Sequence, residues 1–234
     1  MSKLDGVFDD QGRVFRPPRR WLLREFLSIV TPHGPPVAPV RVDPARGETV
    51  LVVPPFLTAD ILMAPFRGAL ASCGHRVEGW GLGPNYGPTP RILAGLRRKL
   101  AAMADRRGGP VTLIGVSLGG LLARDVAHER PDHVRQVITI ASPFRLPTAT
   151  NIAPLFHLVA HRYAEGFDFR RVGRPLPMPS LAIYSREDGI VSWESCVSDE
   201  PLGENAEVRG KHMVICQYPE VIRVVSARLA APPV

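Results

Sequence analysis

The residues of this sequence best suited to chemistry are a serine, an aspartate and a histidine, which occur in that order. Ser117 is the centre of a Gly-x-Ser-x-Gly pentapeptide, Asp188 precedes a glycine, and His212 follows a Gly-Lys pair. A serine hydroxyl is a weak nucleophile at neutral pH unless an imidazole accepts its proton. The imidazole in turn needs a carboxylate to hold its tautomer. The three residue types together indicate nucleophilic catalysis by an activated serine.

The segments on either side of Ser117 predict a strand, a tight turn and a helix. Residues 111–114 form an apolar run typical of a buried strand, and residues 118–129 have a long apolar face at helical spacing. A serine on the turn between them is forced into a strained conformation that exposes its Oγ. The glycines at positions 115 and 119 are needed because the strand and the helix pass too close for larger side chains.

The aspartate and the histidine also follow predicted strands. Residues 180–184 form an apolar, strand-like run that leads to Asp188. Residues 206–209 predict a short strand, after which His212 lies on a loop before a C-terminal helix. Glu187, one residue before Asp188, is the competing acid. The sequence therefore predicts a nucleophile, an acid and a base on loops that follow three different strands.

At these residues the sequence resembles the α/β-hydrolase superfamily, in particular its small esterase- and lipase-like members. The resemblance extends from about Thr49 to the end of the chain. It implies an α/β fold with a mostly parallel sheet, flanking helices and a small helical lid. It also implies a serine hydrolase that acts through an acyl-enzyme, with Ser117 as nucleophile, His212 as base and Asp188 as the orienting acid. We expect neither a metal nor a cofactor.

The oxyanion that develops during acyl transfer needs two preorganised hydrogen-bond donors. We expect one of them to be the backbone N–H of Leu118, the residue after the nucleophile. The other is expected in the loop that follows a strand at residues 49–53. This loop opens with two prolines, which have no N–H, so Phe56 is the first residue that can donate. Leu57 is a weaker candidate.

The whole chain, residues 1–234, is expected to be one domain, with an N-terminal arm and helix in residues 1–44 and a lid insertion in residues 145–178. Within the insertion, residues 151–164 carry apolar side chains at helical spacing. The side chains expected to bind substrate are those of Leu57, Leu155, Phe156, Val191 and Met213. His157 and His161 lie one helical turn apart, but no third ligand is nearby, which favours ordinary histidines over a metal site.

Composition and charge favour a globular cytoplasmic protein. The hydrophobic content is 45%, no apolar run approaches the roughly 20 residues of a membrane span, and the N-terminus lacks the layout of a secretory signal. The net charge of +7 comes without a nucleic-acid-binding motif, so the expected partner is a small-molecule ester and not a nucleic acid. An amphipathic helix at residues 21–30 is expected to dock on its own domain, with contact to a membrane surface as the less favoured alternative.

Two further points remain open from the sequence. The three cysteines have neither paired nor metal-ligand spacing, which favours reduced thiols, although a Cys196–Cys216 pair is compatible with their positions.

The reaction expected first is hydrolysis of carboxylic esters with short to medium acyl chains. Thioesterase, amidase and acyltransferase activities use the same residues. A non-catalytic binding or scaffold protein is the alternative of a different class, and only the double proline after the first core strand favours it.

Overall fold

The computed structural model describes residues 14, 16–31, 34–35, 37–152, 154, 158, 162–165 and 167–231. The strands in this part of the chain are β1 (Thr49–Val53), β2 (Arg76–Gly79), β3 (Val111–Val116), β4 (Val134–Ile140), β5 (Ser180–Tyr184) and β6 (Gly203–Glu207). The helices are α1 (Trp21–Ser28), α2 (Asp60–Ser72), α3 (Pro90–Arg107), α4 (Leu118–Glu129), α5 (Phe169–Val172) and α6 (Pro219–Ala230). Short 3₁₀ helices lie at Pro44–Arg46, Pro131–His133, Trp193–Ser195 and His212–Gln217.

The six strands form one sheet in the order β2-β1-β3-β4-β5-β6, and every pair of neighbours is parallel. From β1 the chain crosses outward to β2 and then returns to the other side of β1 as β3. The strand order therefore reverses between β1 and β3, and in open parallel sheets ligands bind beyond the carboxyl ends of the strands at such a point. The predicted α/β class with a mostly parallel sheet is confirmed.

The central strands are buried on both faces, which their near-continuous apolar sequences predict. Every residue of β1 and β3 is buried. One face of the sheet packs on α3 and α4, through side chains that include Leu51 and Leu113. The other face packs on α2 and α6, through side chains that include Val50 and Ile114. The sheet is thus a rigid platform for the loops at its carboxyl edge.

The strand predicted at residues 206–209 is found earlier in the chain, as β6 at Gly203–Glu207. Its sequence, Gly-Glu-Asn-Ala-Glu, lacks an apolar alternation because β6 is an edge strand with three exposed residues. Backbone pairing with β5, which joins Ser180 to Gly203 and Tyr184 to Glu207, decides its position. In the structure β6 therefore ends five residues before His212.

Helix α1 docks on the rest of the molecule through one narrow face. Glu25 and Ser28 are buried, and the helix packs against the His212–Gln217 turn. Its opposite face exposes large apolar side chains, among them Leu23 and Phe26. In the described part of the chain, no helix is both long enough and apolar enough to cross a membrane. Contact of α1 with a membrane surface stays the less favoured, untested alternative.

The insertion between β4 and β5 is tied to the domain at both of its described ends. At its far end, Arg171 on α5 pairs with Asp125 and Glu129 on α4. At its near end, Asn151 donates its backbone N–H to the Ile190 carbonyl at 2.8 Å. Several residues of the predicted lid lie outside the described residues: Leu155, Phe156, His157, Val159 and His161. The lid function stays a prediction.

The cysteines are all unpaired, so the Cys196–Cys216 disulfide that the sequence left open is not formed. Cys73 and Cys196 are buried. Burial raises the pKa of the Cys216 thiol to about 12, which disfavours its reactive thiolate form.

Candidate active site

The turn between β3 and α4 holds Ser117 in a conformation that non-glycine residues seldom adopt, with φ +52° and ψ −122°. A Cβ on Gly115 would lie 2.4 Å from the Gly119 carbonyl oxygen, and a Cβ on Gly119 would lie 2.3 Å from that of Val53. Both glycines therefore allow a contact that no larger residue could make. The Ser117 N–H donates to the Ile140 carbonyl at 2.8 Å, which fixes the turn to β4.

Ser117, His212 and Asp188 form a hydrogen-bonded chain. His212 Nε2 lies 3.0 Å from Ser117 Oγ, and His212 Nδ1 lies 2.6 Å from Asp188 Oδ2. A carboxylate beside Nδ1 favours the tautomer that is protonated there. The lone pair of Nε2 then faces the serine hydroxyl, which is the arrangement that proton abstraction requires. All three side chains are at least nine-tenths buried.

The turn after β5 gives the two carboxylate oxygens of Asp188 different partners. Asp188 Oδ1 accepts the backbone N–H groups of Ile190 at 2.8 Å and Val191 at 2.7 Å. These bonds close an Asx-type turn and direct Oδ2 towards His212. The competing acid, Glu187, is exposed, so the structure places Asp188 and not Glu187 against the imidazole.

The electrostatic surroundings of His212 favour its protonated form. Burial by itself lowers the pKa of the imidazole, but the charge of Asp188 and its hydrogen bond raise it, and the charge of Glu25 adds to the rise. The net result is a pKa above the ordinary value of 6.5. A base with a raised pKa accepts the serine proton more readily, provided that the pH is high enough to keep it neutral.

The loop after β1 is fixed by Asn85, a buried residue of the Gly- and Pro-rich segment at 81–88. The Asn85 carbonyl accepts the Leu57 N–H at 2.8 Å, and its Nδ2 donates to the Pro54 carbonyl at 2.7 Å. The Leu57 N–H is therefore used within the fold, which removes the weaker of the two candidate donors in this loop and leaves Phe56. Phe56 packs in one apolar cluster with Leu118. The roles of their N–H groups as donors stay predictions.

The other side chains predicted to bind substrate have different surroundings. Leu57 and Met213 are 45% and 44% exposed and follow Phe56 and His212 in the chain. Val191 is buried beside Ile190 and carries one of the N–H groups that hold Asp188. Leu155 and Phe156 lie outside the described residues. Among the residues that the structure describes, no three His, Cys, Asp or Glu side chains are grouped so as to hold a metal ion.

Two residues that support the site, Glu25 and Asn85, were not predicted from the sequence. Glu25 accepts backbone hydrogen bonds from both the acid turn and the histidine loop. Asn85 holds the loop after β1. Neither belongs to a local motif, and the only sequence signal for Asn85 was its place in a Gly- and Pro-rich loop.

No protein-family model matches this sequence, and no curated protein shows significant similarity to it. Solved structures do match it. Aspergillus fumigatus lipase B matches with a TM-score of 0.66 at 16% identity, over 80% of this chain and 53% of that one. The chain has the α/β-hydrolase fold.

Two further matches cover nearly the whole of the other chain. Bacillus licheniformis lipase BlEst2 in its mature form matches with a TM-score of 0.59 at 14% identity, over 85% of this chain and 100% of that one. A structure from the work on LipS and LipT, two metagenome-derived lipolytic enzymes, gives a TM-score of 0.59 at 15% identity, over 86% of this chain and 98% of that one. The present chain spans only about half the length of lipase B. At these identities the likeness concerns the fold.

Proposed function

We propose that this chain is a serine hydrolase that cleaves carboxylic esters of short to medium acyl chain. The observation that carries the proposal is the hydrogen-bonded chain from Asp188 through His212 to Ser117, with Ser117 on a strained turn at the carboxyl edge of the sheet. A strained nucleophile that touches a base, which in turn touches an orienting acid, has no simple structural purpose. The lipases among the structural neighbours support an ester as the substrate class.

In the acylation step Ser117 Oγ attacks the ester carbonyl carbon while His212 Nε2 takes the hydroxyl proton. The imidazolium that forms is stabilised by Asp188, which does not itself become protonated. The negative charge on the former carbonyl oxygen is received by the backbone N–H groups of Leu118 and Phe56. His212 then gives its proton to the departing alcohol, and the acyl group remains on Ser117.

In the deacylation step a water molecule replaces the alcohol. His212 Nε2 takes a proton from this water as its oxygen attacks the acyl carbon. The same two N–H groups receive the second oxyanion. Its collapse releases the carboxylic acid and returns the proton to Ser117 Oγ. The site is thus restored without any group beyond those of the chain and the substrate.

The apolar side chains around the site favour an uncharged acyl group. Phe56 and Leu118 belong to one buried cluster, and the partly exposed Leu57 and Met213 follow Phe56 and His212 in the chain. A polar or charged acyl chain would lose its hydration against such surfaces without gaining hydrogen bonds.

The test is a series of p-nitrophenyl esters from acetate to laurate, assayed with the wild type, Ser117→Ala and Ser72→Ala. Ser72 is an exposed serine on α2 and serves as the matched control. We expect Ser117→Ala to lose activity by several orders of magnitude and Ser72→Ala to keep it. A fluorophosphonate probe should label the wild type and Ser72→Ala but not Ser117→Ala.

The same assay separates the alternatives. A thioester or amide analogue that is cleaved faster than the ester would reassign the substrate class while leaving the mechanism intact. A folded wild type that neither reacts with the probe nor hydrolyses any of the esters would overturn the proposal in favour of a binding or scaffold protein.

A further inference from the structure

Glu25 is a buried carboxylate on a helix whose other residues, apart from Ser28, are exposed or partly exposed. It is 1% exposed, whereas its neighbours in α1 include Leu23 at 66% and Phe26 at 61%. Taking a carboxylate out of water is costly unless hydrogen bonds replace its hydration. The position of Glu25 therefore has to be explained by what it binds.

Both oxygens of Glu25 bind the backbone beside the catalytic groups. Oε1 accepts the N–H of Gly189 at 2.7 Å and that of His212 at 3.1 Å, and Oε2 accepts the N–H of Met213 at 3.0 Å. Gly189 directly follows Asp188, so one carboxylate joins the acid turn to the histidine loop. Charge-assisted hydrogen bonds of this kind are about twice as strong as neutral ones.

Gly189 is what allows α1 to come this close. A Cβ at this position would lie 3.0 Å from Trp21 Cβ and 3.1 Å from Glu25 Cγ. The Gly189 carbonyl also accepts a bond from Asn151 Nδ2, which at the same time donates to the Pro17 carbonyl just before α1. The segment that leads into α1 and the acid turn are thus joined at two separate places.

We propose that Glu25 is a positioning residue of the triad, which holds the Asp188 turn and the His212 loop at the separation that their hydrogen bond requires. This inference rests on the proposed function. Asp188 and His212 follow different strands, and the sheet alone does not fix loops that extend several residues beyond it. Catalytic groups have to be held within about 0.5 Å of their productive geometry, which requires supporting contacts of this kind.

Glu25 also contributes its charge. It adds to the negative charge of Asp188 near the imidazole, and both raise the pKa of His212. Two charged groups on the helices packed against the His212–Gln217 turn have partners of their own. On α2, Asp60 pairs with Arg67, and on α6, Glu220 accepts the N–H of Arg209.

The test compares Glu25→Gln and Glu25→Asp, with Arg24→Gln as a control on the exposed side of the same helix. Glu25→Gln keeps the shape of the side chain but removes its charge. Its NH₂ group cannot accept a hydrogen bond, so at least one of the backbone N–H groups loses its acceptor. We expect kcat per labelled active site to fall about tenfold or more, with KM nearly unchanged, and the acid limb of the pH profile to move to lower pH. Glu25→Asp keeps the charge but withdraws the carboxylate, so kcat should fall while the acid limb stays closer to that of the wild type. Arg24→Gln should match the wild type.

Counting active sites with the fluorophosphonate probe removes the effect of misfolded protein, which would lower the number of sites but neither kcat per site nor the pH profile. Glu25→Gln with wild-type kcat per site and an unmoved acid limb would overturn the inference. If Glu25→Gln does not fold, wild-type kcat per site in Glu25→Asp overturns it instead.

An NMR titration of the His212 imidazole keeps this inference separate from the proposed function, because it needs no substrate. A lower pKa of His212 in Glu25→Gln than in the wild type would show that the Glu25 charge acts on the imidazole, even in a protein that hydrolyses no ester. An unchanged pKa and an unchanged kcat per site in Glu25→Gln, together with an inactive Ser117→Ala, would mean that the proposed function holds and that this inference alone fails.

Discussion

Replacing Gly119 by alanine tests whether the contact between β1 and α4 sets the geometry of the site. Gly119 is the second residue of α4, directly after Leu118. A Cβ there would lie 2.3 Å from the Val53 carbonyl oxygen and 2.6 Å from the Pro54 carbonyl oxygen. Contacts below 3.0 Å are not found for real Cβ atoms, so β1 and α4 would have to separate by about 0.7 Å.

The separation would move the two N–H groups proposed to bind the oxyanion away from each other. Val53 and Pro54 lead into the loop that carries Phe56, while Leu118 begins the helix, so the two proposed donors lie on opposite sides of the contact. A displacement of this size costs about 100-fold in kcat/KM, because misplacing groups by about 1 Å has an effect of that order. Losing one oxyanion donor altogether costs about 100- to 1,000-fold.

Stability should change less than activity. Overpacking costs about 1–3 kcal/mol in unfolding free energy, and alanine returns about 0.5–1 kcal/mol of it through its helix propensity. Gly68→Ala is the matched control, because Gly68 also lies in a helix and an added Cβ would meet nothing within 4 Å. This variant should keep full activity and be about 0.5–1 kcal/mol more stable than the wild type.

The assay is steady-state hydrolysis of p-nitrophenyl butyrate, together with thermal unfolding and the rate of labelling by the fluorophosphonate probe. Labelling should slow with hydrolysis, because the probe reacts through the same oxyanion geometry. Gly119→Ala that is folded and retains kcat/KM within threefold of the wild type would show that the contact does not position the oxyanion donors.

Two further predictions concern the base and the oxyanion hole. Because His212 must be neutral to accept a proton and its pKa is raised, kcat/KM should increase with pH through a midpoint above 6.5; a midpoint below this value would mean that burial outweighs the charges of Asp188 and Glu25. Because the proposed donor of Phe56 is its backbone, Phe56→Leu should keep much of the activity, whereas Phe56→Pro should lose about 100-fold or more. Equal kcat/KM in the two folded variants would exclude this N–H from the oxyanion hole.

The sequence could predict the central strands and the order of the reactive residues because both are local patterns. The run at residues 111–116 is buried on both faces, and the pentapeptide marks its end. The predicted position of β6 was wrong because β6 is a polar edge strand without an apolar pattern. Its position depends on pairing with β5, which a single sequence does not contain. Helix α1 was predicted to continue to Val30 and ends at Ser28, because the N–H groups of the next three residues bond to carbonyls three residues back and not four.

The supporting residues could not be predicted in the same way. Glu25 lies in the sequence Trp-Leu-Leu-Arg-Glu-Phe-Leu-Ser, where a glutamate beside an arginine indicates an exposed position. Its partners are 164 and 187 residues away in the chain. Asn85 lies in a loop whose composition indicates a turn, yet its side chain reaches Pro54 across 31 residues. Such contacts exist only after the sheet has brought distant loops together.

The difference between the triad residues, which could be predicted, and the supporting residues, which could not, follows from the geometry of a parallel sheet. Parallel strands bring the loops after β1, β3, β5 and β6 to one edge, so the order of residue types along the chain is enough to predict which groups meet. The sheet does not fix the loops beyond its last hydrogen bonds, and Ser117, Asp188 and His212 must meet at distances of 2.6 and 3.0 Å. That precision comes from contacts outside the sheet, which are steric at Gly119 and electrostatic at Glu25. We therefore expect substitutions at these supporting positions to change kcat more than they change folding.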